Sequence, residues 1–123
     1  MKTIDNIKDI REINNTLEFR HLRRVLLQHF KSCFRCNSIQ QLEIDHIKSI
    51  RYFPTMAIYY KNLQVLCKKC NQGKGSRNYK DYRRKRKEFI ECLLLENNAY
   101  EYHQKIMEQG HLFDKTPKHL KKK

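Results

Sequence analysis

Two cysteine pairs, each with two residues between its members, constrain the fold of this chain more than any other feature. Cys33 and Cys36 form the first pair, Cys67 and Cys70 form the second, and 30 residues lie between the pairs. Each short turn can present two thiolates to one metal ion, and two such turns complete a tetrahedral zinc site. The gap exceeds the usual zinc-ribbon spacing, but a two-stranded hairpin would bring its ends together. The sequence therefore predicts structural zinc, with buried or redox-active cysteines as the less favoured alternative.

The size and composition of the chain agree with a metal-stabilised domain. Its 123 residues fit one compact domain with extensions, and 39% of them are apolar, below the roughly 45–50% of an average globular chain. Lean cores often depend on a metal, disulfides or a partner. The N-terminus does not read as a secretory signal, and no apolar run approaches bilayer length. We therefore expect an intracellular protein with reduced thiols, in the cytoplasm or nucleoid, with an organelle matrix or stroma as an alternative.

The charge of the chain indicates an anionic partner. Lys and Arg number 27 against 13 Asp and Glu, a formal net charge of +14, which points first to nucleic acid. An anionic membrane surface is less favoured, because no long, strongly amphipathic basic helix stands out. The charge is also segregated: residues 68–87 hold ten Lys and Arg against one Asp, whereas residues 88–109 hold five Glu and one Lys. The basic segment is therefore a localised patch.

Hydrophobic periodicity predicts helices on both sides of a small hairpin. Strands are expected over 41–47 and 62–67, joined by a long loop. Cys92 lies on the apolar stripe of a predicted helix, so we expect it in the core. The predicted helices cover 4–12, 15–31, a short stretch from Lys69, 79–97 and 99–110. The resulting domain plan is an N-terminal helical extension (1–31), a hairpin and metal core (32–78), basic-then-acidic helices (79–110) and a disordered basic tail (111–123).

Two further stretches, LEIDHI (42–47) and NLQVLCKKCNQGKG (62–75), combine with the cysteine pairs into one pattern. The pattern resembles the HNH nuclease family, with its ββα-metal fold, over roughly residues 33–76. The chain departs from that family in two places. Ser49 stands where a Pro is usual, and RYFPTMAIYY replaces the usual Gly-rich loop. Both departures bear on the geometry of the loop rather than on the chemistry.

The resemblance implies a role for each matching residue. Asp45 and Asn71 would hold a catalytic divalent ion, His46 would be the general base, and Asn62 would pin the connecting loop. An imidazole with a pKa near 6.5 suits a base at neutral pH, and oxygen ligands suit Mg²⁺. Neighbouring strand residues face opposite sides, so Asp45 and His46 can share one phosphate only if the strand ends at His46. Glu43 could support the metal through water, although an exposed strand carboxylate is favoured.

The sequence thus predicts an α+β protein with a small ββα-metal core and a four-cysteine zinc site, flanked by helices. Its predicted function is metal-dependent hydrolysis of DNA phosphodiester bonds, with RNA not excluded, by a monomer or weak dimer. One base and one metal predict cleavage of one strand at a time. The alternatives are a non-catalytic zinc-stapled nucleic-acid-binding module and a subunit whose helical N-terminus docks a larger partner. The predicted phosphate contacts are Lys74, Arg77, Arg83, Arg84 and Arg86.

Overall fold

A computed structural model describes residues 2–110 and contains four α-helices and one two-stranded sheet within that range. The helices are α1 (Leu17–His29), α2 (Lys68–Lys74), α3 (Lys87–Glu96) and α4 (Ala99–Glu108). The strands are β1 (Leu42–His46) and β2 (Leu63–Cys67), which pair antiparallel. This arrangement of a hairpin followed by a helix, with flanking helices, confirms the predicted α+β class. The predicted basic tail (111–123) lies outside the described residues.

The N-terminal segment is not the predicted α-helix but two 3₁₀ helices, Ile4–Asn6 and Ile10–Asn15. Its four isoleucines, at positions 4, 7, 10 and 13, are all buried. Within the second 3₁₀ helix, the spacing of three residues places Ile10 and Ile13 on one face, because this helix has 3.0 residues per turn. Ile7 lies between the two helices, where its φ of −81° and ψ of 149° are extended. The segment then enters α1 through Thr16, whose Oγ1 accepts a hydrogen bond from Phe19 N, a standard N-cap.

The two ends of the hairpin adjoin different parts of the chain. Leu42 pairs with Cys67 at one end, and His46 pairs with Leu63 at the other. The cysteine pairs therefore lie at one end of the sheet, where Cys67 is the last residue of β2, and the long loop lies at the other end. Helix α2 begins directly after Cys67 and ends before Gly75, whose φ of 71° falls in the left-handed region that glycine tolerates best.

The predicted helix over 79–97 is shorter in the structure, because α-helix begins only at Lys87 after a 3₁₀ turn at Arg84–Arg86. Side chains supply the hydrogen bonds that a helix would otherwise have made. Gln64 donates to Lys80 O at 3.1 Å and accepts from Tyr82 N at 2.8 Å. Such bonds compete with helix formation. The expectation for Cys92 was also wrong: it is exposed, since α3 buries Ile90 and Leu94 on its other side.

One hydrophobic cluster joins the N-terminal segment, the hairpin and the C-terminal helices. It extends from Ile4 through Leu22, Val65 and Ile90 to Ile106. The flanking helices therefore complete the core of the hairpin, which could not bury enough apolar surface alone. Within residues 2–110, none of the helices has the length and apolar character needed to cross a membrane.

Candidate functional site

The four cysteines of the two pairs converge at one end of the hairpin. Their sulfur atoms all lie within 4.8 Å of one another, and the Sγ atoms of Cys36 and Cys67 are 3.7 Å apart. A tetrahedral site with Zn–S bonds of about 2.3 Å requires sulfur atoms roughly 3.8 Å apart. The donor set and its spacing thus fit zinc, and the predicted four-cysteine cluster is confirmed.

Backbone N–H groups point at one sulfur atom in each turn. Arg35 N and Cys36 N donate to Cys33 Sγ at 3.4 and 3.5 Å, and Cys70 N donates to Cys67 Sγ at 3.4 Å. Burial alone would raise the pKa of Cys33, but backbone N–H groups of Cys36, Cys67 and Arg35, with the Cys36 thiol, lower it to about 6. Burial and the neighbouring thiols raise the pKa of Cys70 to about 12, so the cluster holds one thiol that ionises readily and one whose deprotonation requires the charge of a metal ion.

Asp45, near the opposite end of β1, is held inside the protein by two side chains. Gln64 Nε2 donates to its Oδ2 at 2.8 Å, and Lys74 Nζ lies 3.3 Å from the same oxygen. Burial raises the pKa of Asp45, whereas the Gln64 hydrogen bond and the Lys74 charge oppose that rise. Among the described residues, both of these partners contact Oδ2, so Oδ1 is left as the oxygen available to a metal ion.

His46 is oriented by the loop and by α1. Its Nε2 lies 2.8 Å from the carbonyl oxygen of Ala57. Because a carbonyl can only accept, Nε2 carries the hydrogen and Nδ1 is the acceptor in the neutral ring. The ring stacks on Phe19 with centroids 5.5 Å apart. Burial, together with the charge of Lys74, lowers the pKa of His46 to about 4 despite the Ala57 contact. The imidazole is therefore neutral at pH 7, but it is a weaker base than the unperturbed imidazole expected from the sequence.

Asn62 ties the two ends of the long loop together. Its Oδ1 accepts from Lys48 N at 2.8 Å, and its Nδ2 donates to Lys48 O and Met56 O, each at 3.0 Å. Its own carbonyl accepts from Ile47 N at 2.9 Å. Since Met56 precedes Ala57, these bonds fix the carbonyl that orients His46.

Asn71 lies on α2, and its side chain contacts Glu43 of β1. Asn71 Nδ2 donates to Glu43 Oε1 at 2.8 Å. This contact identifies the nitrogen end of the amide, and the oxygen end remains free to coordinate a metal ion. Glu43 therefore orients the amide. From the sequence it was expected either to support the metal through water or to be an exposed carboxylate, so this role was not expected.

A shallow depression, called the cleft below, brings these side chains together. Asp45, His46 and Asn71 all line it, and β1 ends at His46. Its adjoining part is lined by Phe19 and Arg23 of α1 as well as by His46 and Asn71. Asn62 lies behind the cleft and acts through the loop.

The five predicted nucleic-acid-binding cations occupy different environments. Arg77 and Arg84 are exposed. Arg86 is partly buried, with its guanidinium 4.0 Å from the centroid of the Phe34 ring. Lys74 and Arg83 are buried, which corrects the expectation that they present their charges to a phosphate.

The two buried cations bind groups of the protein itself. Lys74 Nζ donates to His46 O and Ile47 O as well as pairing with Asp45. Arg83 pairs with Asp81 at 2.9 Å and with Glu91 at 3.1 Å. Lys74 therefore fixes the end of β1 beside the cleft, and Arg83 connects the extended segment to α3.

The sequence analysis did not identify Gln64 as part of the site. It is fully buried in β2 and pairs in register with Asp45. A polar residue inside an otherwise apolar strand was the available signal, because a buried amide must find hydrogen-bond partners. Phe19 was not identified from the sequence either, because its contact with His46 depends on how α1 packs against the hairpin.

The comparison with protein families gives one match. Residues 32–77 match the family model described as HNH endonuclease. No curated protein and no solved structure is significantly similar to the chain. The matched range includes both cysteine pairs and every side chain that the hairpin and α2 contribute to the cleft.

Proposed function

Because residues 32–77 form an HNH endonuclease domain, we propose that this protein is a metal-dependent endonuclease that hydrolyses phosphodiester bonds of DNA. Domains of this family act on nucleic acids, and the net charge of +14 agrees with such a substrate. Cleavage would take place in the cleft, with zinc in the four-cysteine site as a structural ion. Five free cysteines and the zinc site favour a reducing, intracellular compartment.

The side chains of the cleft divide the work of hydrolysis. Asp45 Oδ1 and Asn71 Oδ1 would hold a hard divalent ion such as Mg²⁺, which stabilises charge on the leaving oxygen. His46 Nδ1 would accept a proton from the attacking water. Lys74 and Gln64 keep Asp45 in place. Glu43 accepts a hydrogen bond from the Asn71 nitrogen, so the Asn71 oxygen points away from Glu43. The zinc site would hold the other end of the hairpin and leave the reaction to the cleft.

The observation that supports this proposal most is the state of His46. Its Nε2 is bonded to Ala57 O, so the neutral ring carries its hydrogen on Nε2 and presents Nδ1 as the acceptor. A histidine with a structural role alone would not need the separate anchor that Asn62 gives to this loop. The adjacent oxygen donors, Asp45 and Asn71, line the same cleft. Base and metal ligands are thus preorganised before substrate binds.

The proposal is tested with supercoiled plasmid DNA in the presence of Mg²⁺, Mn²⁺ or EDTA. We expect His46→Ala to retain DNA binding and lose at least about a hundredfold in cleavage rate, the usual contribution of a general base. His29→Ala, an exposed histidine of α1, is the matched control. Bound zinc is measured before and after EDTA treatment, so that loss of the structural ion is not mistaken for loss of the catalytic one. Cleavage by His46→Ala at the rate of the control would refute the assignment.

The alternative is a zinc-stapled module that binds nucleic acid without cutting it. The four-cysteine cluster fits this function equally well. The contact of Lys74 with Asp45 also favours it, because a cation there opposes a second one nearby. Salt-dependent DNA binding by the wild-type protein, without cleavage in any divalent metal, would support this alternative.

A further inference from the structure

Four cations on or next to α1 take no part in the proposed chemistry. Arg20, Arg23 and Arg24 of α1, with Lys31 two residues beyond its end, line one groove together with Leu27 and Gln28. The four cations and Gln28 are exposed, and we call them the basic face of α1. Within residues 2–110, no carboxylate pairs with any of the four cations. A cluster of cations without partners repels itself, so it is stabilised by an anionic ligand.

The acid nearest to this face in sequence does not neutralise it. Glu18 is buried at the start of α1, where its Oε1 accepts from Ile4 N at 3.0 Å and its Oε2 lies 3.7 Å from Lys105 Nζ. Lys105 belongs to α4, so the charge of Glu18 is directed toward that helix and away from the groove.

The basic face is continuous with the cleft. Arg23 lines both the groove and the part of the cleft that contains His46 and Asn71. Phe19 lies one helical turn before Arg23 and stacks on His46. Helix α1 therefore supports the cleft with one side and extends a row of positive charge away from it with the other.

The basic segment 68–87 offers less than its composition indicated. Lys74 and Arg83 are buried and paired with carboxylates, and Arg86 is partly buried over Phe34. Seven other cations of the segment are exposed, Arg77 and Arg84 among them, but none of these seven lines the cleft, where the lining cation is Arg23 of α1.

We propose that the basic face of α1 binds the phosphate backbone of the nucleic acid and leads that strand into the cleft. The proposal rests on the proposed function. From Arg20 to Gln28 the helix rises by about 12 Å, which equals the rise of roughly three to four phosphates along one strand of B-DNA. Arginine suits this ligand because its planar guanidinium can bind two phosphate oxygens at once.

The test removes two charges from α1 without changing the cleft. Arg20→Gln/Arg24→Gln alters neither the residues that line the cleft nor those that contact His46. The matched control is Lys8→Gln/Lys61→Gln, which removes the same charge from two exposed positions outside the basic face. Each double variant is made in the His46→Ala background, and its affinity for a short DNA duplex is measured from 0.05 to 0.5 M salt. The same doubles with His46 intact are compared in cleavage assays.

The α1 double should reduce the slope of log K against log salt by about 1.8 in magnitude, since each phosphate contact contributes about 0.9. This corresponds to as much as about a 60-fold loss of affinity at 0.1 M salt, if the curves converge near 1 M. In cleavage assays KM should rise while kcat stays near the wild-type value. The control double should change the slope by less than half as much.

Three results would overturn the inference. Equal slopes for the α1 double and the control would show that net charge alone is responsible. Loss of kcat without a change in affinity would place the effect in the chemical step. Weakened binding to vesicles of anionic phospholipid, with duplex binding unchanged, would assign the face to a membrane surface. A wild-type protein that binds with the predicted slopes but never cleaves would refute the proposed function and leave this inference standing.

Discussion

Asn62 offers a direct test of how the long loop positions the general base. It is 3% exposed and forms three side-chain hydrogen bonds, two with Lys48 and one with Met56. A typical intramolecular hydrogen bond contributes about 1 kcal/mol, and groups left unpaired in a partly buried position add to the loss. Asn62→Ala should therefore lower the free energy of unfolding by about 2–4 kcal/mol.

The expected loss of activity has a different origin from the loss of stability. Without the bond to Met56 O, the neighbouring Ala57 carbonyl is no longer fixed, and His46 loses its orientation. We expect a lower single-turnover rate at saturating DNA, with little change in DNA affinity. Asn62→Asp keeps the acceptor for Lys48 N but removes both donors and sets a negative charge against two carbonyl oxygens. It should therefore be no more stable than Asn62→Ala.

The assay is urea unfolding of zinc-loaded protein, with single-turnover cleavage measured on the same preparations. Asn78→Ala is the matched control, because Asn78 is exposed and its side chain accepts one bond, from Lys80 N. We expect the control to cost less than about 0.5 kcal/mol, as is usual for surface positions. If Asn62→Ala unfolded at the same urea concentration as Asn78→Ala, with an unchanged slope, the loop would not depend on Asn62 and the reasoning would be wrong.

Three other predictions follow from the metal sites and the buried ion pair. Cys67→Ser should lose the bound zinc and unfold the hairpin, whereas Cys92→Ser should retain zinc and stability; elemental analysis and circular dichroism distinguish them. Lys74→Met should destabilise the protein by about 3–5 kcal/mol because it leaves the buried Asp45 carboxylate without its counter-charge, with the Gln64 hydrogen bond remaining, whereas Lys69→Met at an exposed position should have little effect in the same urea assay. With one base in the cleft, a monomer should convert supercoiled plasmid to open circles before linear DNA forms. Linear product without that intermediate, from protein shown to be monomeric by ultracentrifugation, would contradict single-strand cleavage.

The hairpin and zinc cluster could be predicted because their signals are local and redundant. Two Cys-x2-Cys turns and two short strands each constrain the same end of one hairpin. The N-terminal segment was mispredicted because buried isoleucines three residues apart fit one helical face, although extended residues separate the two short 3₁₀ helices. The early start predicted for α3 failed because Gln64, distant in sequence, supplies hydrogen bonds that hold residues 80–82 outside a helix.

The roles of the charged side chains could not be predicted in the same way. The sequence of a lysine beside a candidate active site is the same whether its side chain faces solvent or a carboxylate. Lys74 is three residues beyond Asn71 on a short helix, and only the packing of α2 against β1 turns it inward. Arg83 likewise became an internal cation because Asp81 and Glu91 surround it. The net charge is therefore known from the sequence, whereas the part of that charge that is free to bind an anionic ligand depends on the tertiary structure.

The register of the hairpin limits how a chain of this kind can vary in length. Strand β1 has five residues, from Leu42 at the zinc end to His46 in the cleft, and alternate residues face opposite sides. Inserting or deleting a single residue between Leu42 and His46 would exchange the sides of Asp45 and His46 and break the pairing of Asp45 with Gln64. Between Ser49 and Phe53, where the loop holds none of the contacts to Asn62 or His46, length can change more freely. A change in chain length is therefore tolerated better in this part of the loop than in the strands.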